Sequence, residues 1–165
     1  MFYYLVRGIV WFTFRCVFWV CARIVVEGKE NVPKSGGAII APNHISFADP
    51  PAVGVTLKRN AYWVGTDEMF GYRFVGRIAY WMRGIPIHQD SPDRKALKKC
   101  LDVLKSGNAV VIFPEGHVSK DGTQQRIQPG TIMLALNANV PIIPVGVINT
   151  DVMMPPHQWK VHRIK

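Results

Sequence analysis

Residues 2–26 are the strongest constraint on this chain, because they form an almost unbroken run of Phe, Tyr, Trp, Val, Ile and Leu interrupted by Arg7, Arg15 and Arg23. So much apolar surface must be covered by protein or by lipid. The run is nearly long enough to cross a bilayer as a helix, but three arginines are costly in a hydrocarbon core. Eight residues apart, each is turned by about 80° from the last, so they spread over about 160° and mark no narrow polar stripe. The rings of Phe2, Tyr3, Tyr4, Trp11, Phe12, Phe14, Phe18 and Trp19 suit a headgroup boundary. No small-residue cleavage site precedes Glu27-Gly28-Lys29, which argues against a signal peptide. The expectation is a shallowly inserted helix, with a true span and a buried core helix as alternatives.

The remaining chain reads as one domain. From Val25 onward short apolar runs alternate with helical periods, the mark of an α/β fold. Strands are expected over 37–41, 61–65, 85–87, 109–113 and 140–148, the third edge-like because of Pro86. Helices are expected over 50–57, 72–82, 93–106 and 130–138. Asp49 and Pro50 read as the cap and first position of the first of these. The third is the clearest, with Leu97, Cys100, Leu101 and Leu104 on one face and Gly107 as its stop. Its Arg94, Lys95, Lys98, Lys99 and Lys105 form either a solvated face or a contact for an acidic carrier. Cys100 reads as packing rather than as a nucleophile, and three cysteines without a CxxC favour a reduced, cytosol-facing setting.

Two loops carry residues capable of chemistry, each directly after an expected strand. The first runs from Asn43 through His44 and Ser46 to Asp49. His and Asp five apart lie about 140° apart on a helix, so only a turn entering a helix start can join them. Joined, Asp49 would fix the tautomer of His44 and leave its other ring nitrogen as a base. The second loop, Phe113-Pro114-Glu115-Gly116-His117-Val118-Ser119, leads into a Lys120-Asp121-Gly122 turn. It places a carboxylate beside a glycine at a strand's carboxyl end, where open α/β sheets bind ligands. Read blandly, Asp49 caps a helix and Glu115 holds backbone N–H groups. Ser46 has no nucleophile elbow around it and reads as a loop hydrogen-bonder.

Together the loops resemble motifs of the glycerolipid acyltransferase family, typified by 1-acyl-glycerol-3-phosphate acyltransferases. N-H-x-S-x-x-D is matched by Asn43, His44, Ser46 and Asp49, F-P-E-G-T-R-S by Phe113, Pro114, Glu115, Gly116 and Ser119, and V-P-x-x-P-V by residues 140–145. The resemblance implies a mixed α/β central sheet flanked by helices, with an N-terminal hydrophobic membrane-anchoring helix over 1–26 and the acyltransferase domain over 27–165. It implies transfer of an acyl group from coenzyme A or an acyl carrier protein to a lysophospholipid hydroxyl, with no cofactor or metal. In that reading His44 is the base and Asp49 orients it, while Asn43, Ser46, Glu115, Gly116 and His117 help place the substrate at the cytoplasmic face of a membrane.

Two departures accompany the matches. Three positions where the family often carries cations near the acceptor phosphate hold Thr66, Gln89 and Val118, with His117, His88, Arg83 and Arg94 as the available substitutes. Residues 160–165 also read as the opening of a further strand, so the chain is expected to stop short of the family's full domain. The rival readings are a metal-dependent hydrolase with His44, Asp49, Glu115 and His117 as ligands, and a catalytically weak lipid-binding homologue. Net charge +9 calls for an anionic partner, but the cations are dispersed and no nucleic-acid signature accompanies them, so no nucleic acid is expected.

Overall fold

The computed structural model describes residues 2–89, 93–119 and 121–155. The strand expected over 160–165 and Lys120 of the expected turn lie outside them. A long helix α1 (Phe2–Cys21) opens the chain, followed by a 3₁₀ turn (Lys29–Asn31). Strands and helices then alternate: β1 (Ala38–Pro42), α2 (Asp49–Thr56), β2 (Ala61–Thr66), α3 (Asp67–Gly71), α4 (Val75–Trp81) and β3 (Gly84–Ile87). The last elements are α5 (Arg94–Lys105), β4 (Ala109–Val111), α6 (Pro129–Ala138), β5 (Ile142–Val145) and a short α7 (Thr150–Met153).

The five strands form one sheet in the order β3-β2-β4-β1-β5. Every pairing is parallel, so among the described residues the sheet is not mixed as the resemblance implies. The cause is local: a helix or helix pair separates each strand from the next, and such crossovers return the chain in the same direction. Side chains alternate between two faces. Ile39, Ile85 and Val110 turn towards α5 and α6, where Ala96, Cys100, Leu104 and Leu134 complete the larger core. Burial pushes the Cys100 thiol up to about 11, fitting its packing role. Ile40, Ala61 and Val111 face the opposite way with Trp63, and the Trp63 ring meets Trp11 of α1 at 5.7 Å.

Several boundaries differ from expectation. The helix expected over 72–82 is the shorter α4, and an unexpected helix α3 precedes it, capped by Thr66, which accepts from Met69 N at 3.2 Å, with a turn between the two. Gly76 makes that corner possible: a Cβ there would lie 2.0 Å from the Phe70 carbonyl oxygen. Asp49 does not cap α2. Ala48 occupies the cap position and Asp49 begins the helix, which frees its carboxylate for the preceding loop. Strand β5 stops at Val145, short of 148. Asn43 replaces the ladder there, its Oδ1 accepting from Val147 N at 2.6 Å and its Nδ2 donating to Val147 O at 3.0 Å.

The order of the strands sets up the site. Strands β1 and β4 are neighbours, yet β1 leads into α2, beside α1, and β4 leads into α6 on the opposite face. Where adjacent connections diverge to opposite faces, a crevice opens at the strands' carboxyl ends. Both loops singled out in the sequence leave the sheet at that crevice.

Candidate active site

His44 and Asp49 are paired: His44 Nδ1 lies 2.8 Å from Asp49 Oδ2. The turn after β1 folds the ring back over the first residue of α2, so Asp49 can be helical and still reach it. Oδ2 also accepts from Ile45 N at 2.7 Å and Ser46 N at 2.8 Å, and Oδ1 accepts from the Thr150 hydroxyl. Asp49 is wholly buried. Two backbone amides and a hydroxyl directed at one buried carboxyl favour its ionised form, and an ionised carboxylate beside Nδ1 makes that nitrogen the donor. Its Nε2 is then the basic nitrogen, and among the described residues nothing hydrogen-bonds to it. The imidazole retains 15% of its accessible surface, enough to meet a hydroxyl from solvent or lipid. Phe113 backs the ring, with centroids 4.2 Å apart and planes inclined by 31°.

The second loop fixes the first. Glu115, 3% exposed, accepts from His44 N at 3.2 Å through Oε1 and from Gln125 N at 3.0 Å through Oε2. Ser119 N donates to His44 O at 2.7 Å, so the backbone of His44 is held on both sides. Beyond it, the Thr123 hydroxyl and amide and then the Ser119 hydroxyl hold the Asp121 carboxyl below its ordinary range. Gly116 has φ +79°, a left-handed conformation that strains any side chain, and its carbonyl accepts from the Gln89 amide.

The residues singled out in the sequence thus occupy different places. His44, Asp49 and Glu115 converge. Asn43 spends both ends of its amide on Val147, and Ser46, fully buried, donates to Met154 O at 2.6 Å while accepting from Ala48 N at 3.0 Å. His117 is exposed on the rim. Among the described residues no three His, Cys, Asp or Glu side chains converge as metal ligands. Thr66 is engaged as a cap and Gln89 by Gly116 O, while His88 Nδ1 pairs with Asp67. Sequence reading missed Thr150, 101 residues from Asp49 in the chain. Its only sequence signal is its place just after the last strand. Gln125 was missed too, for it contributes a backbone N–H that any residue but proline supplies.

Comparison with known proteins bears on the family. The chain is 30% identical over 136 residues to the 1-acyl-sn-glycerol-3-phosphate acyltransferase LPAT1, chloroplastic, of Arabidopsis thaliana, covering 81% of this chain and 38% of the relative. A 1-acyl-sn-glycerol-3-phosphate acyltransferase of Borreliella burgdorferi is 30% identical over 131 residues, covering 78% of this chain and 52% of the relative. The chain therefore spans between about two fifths and half of the length of these two relatives. The crystal structure of the 1-acyl-sn-glycerophosphate (LPA) acyltransferase PlsC from Thermotoga maritima superposes with a TM-score of 0.82 at 27% identity, covering 97% of this chain and 64% of that one. The family model described as Acyltransferase matches residues 23–148, from just beyond α1 through β5 and both loops, and the chain belongs to that acyltransferase family.

Proposed function

We propose that this protein transfers a fatty acyl group from a thioester, carried by coenzyme A or an acyl carrier protein, to the free hydroxyl of a lysophospholipid. The acceptor named for its relatives, 1-acyl-glycerol-3-phosphate, would give phosphatidic acid. The observation that carries this reading is the Asp49–His44 pair with an unengaged Nε2 at the carboxyl end of a parallel sheet. His44 Nε2 takes the hydroxyl proton as the oxygen attacks the thioester carbonyl. The carbon–sulfur bond then breaks, and the imidazolium returns the proton to the departing thiolate. Asp49 holds the ring and stabilises its charged form, and base catalysis of this kind contributes about 10² to 10⁴ in rate. A thioester is already activated, so the step asks for a base and oriented donors.

Asn43, Ser46 and Glu115 act in this reading as positioning residues, since their polar atoms are committed to the backbone of the two loops. Gly116 and His117 remain the groups through which the second loop can meet the acceptor. With α1 exposing most of its surface, the protein works at a membrane, on its cytoplasmic face. The test is thiol release from an acyl thioester, with a panel of phosphorylated and non-phosphorylated lysolipids, for the wild type and His44→Ala. Loss of about 10²-fold or more in the variant supports the base role, and equal release overturns it. Because Thr66, Gln89 and Val118 stand where cations are usual, the panel also reports whether the acceptor must carry a phosphate.

A further inference from the structure

Helix α1 is long and apolar enough to cross a bilayer by length and composition, but it touches the domain from end to end. Phe2 meets Trp81 edge-on at 5.5 Å, and the Arg83 guanidinium lies 3.8 Å from the Tyr3 ring centroid. Midway, Trp11 lies over Gly54, and further on Arg15 donates to Val55 O at 3.0 Å. Near the end Phe18 packs with Ala48 and Met153. A helix of 20 residues is about 30 Å long. A spanning helix with these contacts would draw the polar body of the domain into hydrocarbon, where loops and strand edges go unsatisfied. Its opposite face is bare: Leu5 is 61% exposed, Phe12 69% and Trp19 86%.

Beside it α4 carries a second bare stripe. Phe74, Ile78 and Trp81 follow one another at four and three residues, within about 60° around the helix, and are 77%, 41% and 42% exposed. Arg73 and Arg77 stand exposed on the adjoining row, and the Arg73 guanidinium lies 5.9 Å from the Phe74 ring centroid. Among the described residues neither arginine forms an ion pair. The Phe2–Trp81 contact joins the two stripes. Exposed aromatics bordered by unpaired arginines fit an anionic lipid surface, with rings at the acyl boundary and guanidinium groups among phosphates.

We propose that the Phe74–Ile78–Trp81 stripe of α4 is a second membrane contact beside α1, its rings seated in the same leaflet and Arg73 and Arg77 on anionic headgroups. This rests on the membrane association proposed above and adds its orientation. At the far end of α1, Phe18 on its inner face packs on Ala48, the neighbour of Asp49, so the helix that lies along the membrane ends beside the His44 loop.

The test measures binding of the full chain to mixed phosphatidylcholine–phosphatidylglycerol vesicles, for the wild type, Phe74→Asp/Ile78→Asp and Arg73→Glu/Arg77→Glu. Each double variant is expected to lose about tenfold or more in vesicle affinity. Turnover of a water-soluble, short-chain acceptor should remain at the wild-type level. Hydrogen exchange of the wild type supplies a readout free of folding effects: bound to vesicles, residues 72–81 gain protection together with 2–21. Bound vesicles with no added protection over 72–81 would overturn the proposal. So would unchanged affinity in both variants. Wild-type protein that ignores vesicles altogether would instead overturn the underlying membrane association.

Discussion

Asp49 shows how much one buried carboxylate is asked to do. It accepts hydrogen bonds from the His44 ring and two loop amides on one oxygen and from the Thr150 hydroxyl on the other. In Asp49→Asn one oxygen becomes an NH₂, which turns a donor towards donors and leaves buried groups without partners. Stability should fall by about 2–4 kcal/mol, read from urea unfolding. Thiol release should fall by roughly 10²-fold or more as His44 loses its tautomer and its counter-charge. A variant with the stability of the wild type would show that the four contacts carry no weight. The pairing of positions 44 and 49 was legible in the sequence because both lie in one loop bounded by prolines. Thr150 was not, since only the adjacency of β1 and β5 brings its hydroxyl to Asp49. Asn43 was visible as a motif residue, but its bridging of Val147 depends on that same adjacency.

Among the elements, α5 was the most readable, because its apolar period and the Gly107 stop agree, and the structure adds a cap at its first expected residue. Asp93 Oδ1 accepts from Ala96 N at 2.9 Å, as a cap should. The α3–α4 corner was less readable: its turn rests on a threonine cap and on a glycine packed against a carbonyl, neither of which shows in apolar periodicity. Least readable was the seating of α1 on α2, which depends on Gly54. A Cβ there would lie 2.1 Å from Trp11 Cη2, and Trp11 is itself packed against Trp63 with the ring planes tilted. Gly54→Val should therefore lift α1 rather than be absorbed, at a cost of about 1–3 kcal/mol. A lowered melting temperature and an altered near-ultraviolet signal from the displaced indoles would both report it. Unchanged tryptophan spectra would mean that α1 does not rest on this helix.

At the scale of the molecule, the domain is finished on one side and unfinished on the other. Helices α5 and α6 close one face of the sheet, while α2 and α1 cover the other and leave the outside of α1 bare. Apolar surface of that extent in water drives association, whereas the +9 charge opposes it and favours anionic surfaces. The two contributions differ in their response to salt. Charges across an aqueous interface are screened over about 8 Å at physiological ionic strength, but burial of aromatic rings in lipid is not. Without detergent the purified chain should therefore sediment as oligomers or aggregates, and mild detergent or vesicles should disperse it. Raising the salt from about 0.1 to 0.5 M should weaken binding to anionic vesicles several-fold and leave detergent-free association intact. Sedimentation velocity with a vesicle-flotation series separates these outcomes. A salt-insensitive, detergent-independent monomer would mean that the face of α1 is covered in solution by something other than lipid.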